Sequence, residues 1–172
     1  LLVTLVCIAL GIGWWTLQEP KNSVELDTQN RLFPDLRANA EQINQVTIRS
    51  SQGQVLLASR TDSGWQASIP DEQGTYPLDS QPLAGLLNAL ADATLDEKKT
   101  SNPAKYAVLG IQDLAVEDSL ARQVTIQSAE HTWQVLIGNA PSVRQGSHVR
   151  RPDQAQVWFT QQETSLPLDE YA

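Results

Sequence analysis

A six-residue motif occurs twice in this chain and restricts what the chain can fold into. Gln45-Val46-Thr47-Ile48-Arg49-Ser50 returns 78 residues later, 45 to 123, as Gln123-Val124-Thr125-Ile126-Gln127-Ser128. In both copies a valine and an isoleucine alternate with polar residues, the period of a strand with one face in a core. Val46 with Ile48, and Val124 with Ile126, are therefore expected to point inward. Between the copies lies Tyr76–Asp92, YPLDSQPLAGLLNALAD. Asp79 suits an N-cap, where its carboxylate accepts from a free N–H of the first turn. Pro82 falls within that turn, where its missing N–H does no harm. Leu83, Leu86, Leu87, Leu90 and Ala91 then form one apolar stripe at helical spacing. The expected architecture is α+β. Two related antiparallel β units, about 43–92 and 121–160, carry this Leu-rich amphipathic helix packed on them, with one transmembrane helix ahead of them.

The remaining elements follow from turns and alternation. Leu32-Phe33-Pro34-Asp35-Leu36 opens a short helix with Pro34 in its first turn. The strand Gln45–Ser50 turns at Ser51-Gln52-Gly53 and returns as Gln54–Ser59; Asp62-Ser63-Gly64 leads to Trp65–Ile69. Leu95–Thr100 reads as a short charged strand. Asn102-Pro103 and Gly110 bound a short helix over Pro103–Leu109. Val124–Ser128 and Trp133–Ile137 make a second hairpin around Glu130-His131. Ser147–Arg151 and Gln156–Thr160 are joined at Pro152-Asp153.

Leu1–Leu17, LLVTLVCIALGIGWWTL, has no charge. As a helix it spans ~25 Å, slightly short of a ~30 Å hydrocarbon core. Trp14 and Trp15 sit where interfacial aromatics belong. The reading is a membrane anchor over residues 1–17, a polar linker over 18–31, an α+β domain over 32–166 and a truncated tail over 167–172. A cleaved signal peptide is the alternative, since Ala9-Leu10-Gly11 has the small-x-small pattern. Cys7, the single cysteine, follows Val6 and reads as a residue within the anchor. There is no Met, not even at position 1, so the true start is expected upstream. Glu19, Lys21, Glu25 and Asp27 give the following side no positive excess, so the body is expected outside the cytoplasm.

A formal net charge of −8 argues against general nucleic-acid binding. His131 and His148 have no acidic or Cys neighbours at ligand spacing, so no metal site is expected and exposed histidine is the plainer reading. No Gly-x-Ser-x-Gly elbow, phosphate loop or cofactor motif occurs, so neither an enzyme nor a cofactor is expected. Trp65, Trp133 and Trp158 suit ligand stacking, but core packing fits their apolar neighbours better. The one local charge feature is Arg144, His148, Arg150 and Arg151, a candidate site for an anionic partner. The competing account is internal neutralisation by Asp153, Glu130 or the acidic loop Asp113–Asp118.

The ordered set Leu32-Phe33-Pro34, Trp65, Tyr76-Pro77-Leu78-Asp79, Asn102-Pro103 with Tyr106, and Leu109-Gly110-Ile111 resembles the domain of unknown function 4340 family. Leu136-Ile137-Gly138, Val149-Arg150 and Val157-Trp158-Phe159 continue the resemblance. It implies a bacterial envelope protein, in some relatives linked with ABC-type export systems, including the gliding-motility kind. It supplies no catalytic residues. The resulting expectation is a single-pass inner-membrane protein with a periplasmic domain. It would be a non-enzymatic interaction or accessory subunit with an ABC-type permease or another envelope protein as partner. The alternative is an extracytoplasmic module that binds a glycan or small molecule.

Overall fold

The computed structural model describes residues 30–68, 74–141, 144–162, 164 and 166. The expected anchor over residues 1–17, the linker up to residue 29 and the tail from residue 167 lie outside them. Among the described residues no helix is long and apolar enough to cross a membrane.

Among the described residues the chain forms one nine-stranded antiparallel sheet, where the sequence reading expects two β units. The strands are β1 (Gln45–Ser50), β2 (Gly53–Thr61), β3 (Gly64–Ser68), β4 (Tyr76–Pro77), β5 (Glu97–Thr100), β6 (Arg122–Gln127), β7 (Thr132–Ile137), β8 (Ser147–Arg150) and β9 (Val157–Thr160). Their order across the sheet is β4-β3-β2-β1-β6-β7-β8-β9-β5. The expected α+β class is overturned by this topology. The fold is mostly β, and its only α-helices among the described residues are α1 (Ser80–Asp92) and α2 (Tyr106–Leu109). The reason lies in the repeat itself. Val46 pairs with Ile126, Thr47 with Thr125 and Ile48 with Val124. The two copies are thus each other's neighbours, related by a local twofold at the Thr47–Thr125 pair. Each strand satisfies the edge that the other would leave open.

Val46, Ile48, Val124 and Ile126 are all fully buried on one face of the sheet. On the other face Gln45 donates its side-chain amide to Gln127 Oε1 at 2.8 Å. Helix α1 begins where expected, with Gln81 N–H donating to Asp79 Oδ1 at 3.0 Å. Leu83, Leu86, Leu90 and Ala91 are buried, in one core with β1, β2, β6 and β7. Leu87 is only half-buried, at the margin of the stripe. Tyr76–Pro77 is a short edge strand rather than a helical lead-in. The helix expected from Leu32 is a run of turns ending in a 3-10 helix at Ala40–Gln42.

The β8–β9 end of the sheet is covered on both faces. A second core of Tyr106, Ile111, Ala121, Leu136 and Val157 lies under the segment that carries α2. That segment starts with a 3-10 turn over Pro103–Lys105 capped by Asn102 and stops at Gly110, which takes φ 62°. Gly138 makes the close approach possible, because a Cβ there would lie 2.4 Å from the Leu109 carbonyl oxygen. Asn139 N–H then donates to that oxygen at 3.0 Å. At the start of the described chain, Leu32 N–H donates to the Ala93 carbonyl at 2.8 Å. This bond brings Phe33, Pro34 and Asp35 to one end of the sheet.

Candidate functional site

An open cleft of about 600 Å³ lies where β7 and β8 part. Its walls are Phe33–Asp35, His131 with the first three residues of β7 (Thr132, Trp133 and Gln134), and the turn Arg151–Asp153. The volume is within the range of small-ligand and peptide sites.

The strands part for a reason written in the sequence. Leu136 pairs with Arg150 and Ile137 with Val149, and Gly138 N–H donates to the His148 carbonyl. Continuing that register sets Gln134 opposite Pro152. Even-numbered residues of β7 direct their backbone groups toward β8, so residue 152 would have to donate to Gln134. Proline has no N–H, and the ladder ends there. Arg151 and Asp153 turn away instead, with Gln154 N–H donating to the Arg151 carbonyl at 3.0 Å. The opposite side of β7 stays paired with β6 along its whole length. Thr132 and Gln134 therefore present backbone N–H and C=O groups to the cleft with no partner among the described residues.

The walls are held rigidly. Trp133 is buried, and its indole N–H donates to Asp35 Oδ1 at 2.9 Å. His131 stacks on Trp133 with 5.4 Å between ring centroids and 16° between planes. Nδ1 of His131 is buried with no hydrogen-bond partner among the described residues. Arg151 donates to the Leu32 carbonyl and lies 5.9 Å from the Phe33 ring centroid. Its guanidinium braces one wall against the other. Asp35 and Asp153 are exposed at the cleft, and neither is in an ion pair among the described residues.

The four residues singled out as an anionic-partner site are placed differently from one another. Arg150 is 4% exposed. It donates to Asp113 Oδ1 at 2.5 Å, the Gln154 carbonyl at 3.2 Å and the Ile111 carbonyl at 3.4 Å, and covers the Tyr106 ring at 4.7 Å. Arg144 is exposed, bonded to Glu97 Oε2 at 3.1 Å and stacked 3.6 Å from the Phe159 ring centroid. His148 is buried rather than exposed, and its Nδ1–H donates to the Asn139 carbonyl at 2.9 Å. Burial pushes its pKa below the usual imidazole value, and Lys99 and Arg144 push the same way. Glu97 is held below the usual carboxylate value by its bond from Lys99, with a further contribution from Arg144. Arg144, His148 and Phe159 thus meet near the β5 edge, Arg150 is engaged inside the second core, and Arg151 alone reaches the cleft.

Sequence reasoning places Trp133 in the core but misses Asp35, its partner 98 positions away. No local pattern announces that pair. The signal for the cleft is Pro152, legible only once β8 is set in register with β7.

The family described as "Domain of unknown function (DUF4340)" has a model that matches residues 70–170. The match includes α1, the β6–β9 half of the sheet, and two of the three cleft walls. The residues before 70 that suggest the resemblance, Leu32-Phe33-Pro34 and Trp65, lie outside it. No curated protein and no solved structure matches the chain. With more than half of its length matched by the family's model, the chain belongs to the DUF4340 family.

Proposed function

We propose that this chain is a non-enzymatic binding subunit of the bacterial envelope. Leu1–Leu17 would anchor it in the inner membrane, with the sheet on the extracytoplasmic side beside an ABC-type transport complex. The binding part of this reading is carried by one observation. The cleft combines fixed apolar walls, two exposed carboxylates and a length of open strand edge, which are the materials of a docking site. The uncharged N-terminal stretch with its trailing Trp14 and Trp15 supports the anchor. The resemblance noted in the sequence supports the envelope setting and the transport partner.

A second reading has its own support. His131 stacked on Trp133, beside Pro34 and Pro152, offers a ring-and-proline surface that suits a small ligand or glycan.

Purification of the full-length protein from membranes in mild detergent tests the first reading. A permease or ATPase should accompany the wild type. It should be lost from the double variant Asp35→Lys, Asp153→Lys if the cleft makes the contact. Recovery of the protein alone would sink the subunit reading, and a partner retained by the variant would move the contact off the cleft.

A further inference from the structure

We infer that the cleft captures an extended peptide of the partner protein as an added strand on β7, with a Lys or Arg side chain set between Asp35 and Asp153. This rests on the reading of the chain as a partner-binding subunit and specifies what the partner supplies.

The sheet guards its other edges. The β4 end carries Pro77, which cannot donate to a further strand. The β5 end carries Glu97, Lys98 and Lys99, and charge on an edge discourages pairing. The open edge of β7 itself carries neither device. Thr132 and Gln134 both keep a donor and an acceptor directed along the line that β8 vacates at Arg150. A strand entering there would continue β8's place in the sheet and complete the ladder that Pro152 interrupts. Main-chain pairing supplies affinity in this mode, and side-chain pockets supply specificity.

The charge of the occupant follows from the walls. Arg151, the cleft's arginine, is committed to the Leu32 carbonyl and the Phe33 ring. Asp35 keeps one carboxylate oxygen beyond the one bonded by Trp133. Asp153 has no ion-pair partner among the described residues. The exposed, uncommitted charge of the cleft is therefore negative, and an acidic peptide would be repelled where a basic one is held.

Panning the full-length protein, held in mild detergent, against a displayed library of random dodecapeptides tests this, with synthetic copies of the selected peptides for titration. The selected set should be enriched in Lys or Arg flanked by β-branched residues. Affinity should fall with added salt and should drop about tenfold when a ladder-facing peptide N–H is replaced by N-methyl. Asp35→Asn with Asp153→Asn should remove the basic preference while leaving the fold intact, because the amide oxygen introduced at position 35 can still accept from the Trp133 indole. Failure to select any peptide, or equal binding of N-methylated and unmodified peptides, overturns strand addition. Co-purification of a transport partner does not depend on these peptides. If it persists and still requires the cleft, the binding reading stands without this mode; if it is absent, that reading fails on its own.

Discussion

Replacing Arg150 separates a structural arginine from a surface one. Its side chain is 4% exposed, and the guanidinium holds three oxygens, on Asp113, Gln154 and Ile111. Arg150→Met keeps the length of the stem and removes every one of those bonds. The two carbonyls would be left under the second core without their donor, at about 1–3 kcal/mol for each one that water cannot reach. The lost contact with the Tyr106 ring adds about 0.5–1 kcal/mol. Asp113 contributes less to the cost, because its side chain is 60% exposed and regains water. The expected loss is about 2–4 kcal/mol. Asp113→Asn leaves both carbonyl bonds in place and should cost about 1 kcal/mol, near the exposed-pair range. Urea unfolding of the two single variants and the double variant gives both costs and their coupling. A loss below about 0.5 kcal/mol for Arg150→Met would refute the burial argument and return Arg150 to the surface.

Two further perturbations test other parts of the structure. Leu86→Ala, in the buried stripe of α1, should cost about 2–5 kcal/mol, whereas Asn88→Ala on the exposed side should stay within about 0.5 kcal/mol; equal effects in thermal or urea unfolding would mean that α1 does not pack on the sheet by this face. His148 is held neutral by burial, with a pKa below the usual imidazole value, so below about pH 6.5 the unfolded chain takes up a proton that the folded chain refuses. Its contribution is present above that pH and is lost as pH falls toward the depressed folded value. His148→Gln should flatten this part of the stability–pH curve, and an unchanged slope would assign it to other groups.

Local pattern makes the individual strands legible, because alternation of Val and Ile with polar residues needs no tertiary knowledge. Asp79 and the leucine stripe make α1 legible for the same reason. The single sheet is hidden because a repeat reports that two strands are alike, not that they are paired. Alternation is the same whether a strand lies in a separate unit or beside its own copy. The cleft is hidden more deeply, since its three segments are joined by contacts between residues far apart in the chain, Trp133 to Asp35 and Arg151 to Leu32. The four basic positions cluster in sequence yet separate in space for the opposite reason. Arg150 is the last residue of β8 and Arg151 the first of the turn that leaves it, so neighbours in the chain reach different surroundings.

The functional account depends on β7 having an open side, and amide hydrogen exchange in the free protein measures that most directly. Trp133 and Val135 direct their N–H groups toward β6 and should exchange orders of magnitude more slowly than an exposed amide. Thr132 and Gln134 direct theirs into the cleft and should exchange at rates close to those of an unstructured chain. Protection of Gln134 equal to that of Val135 would show that the ladder continues past Arg150, and the cleft would then have no free edge to offer a partner.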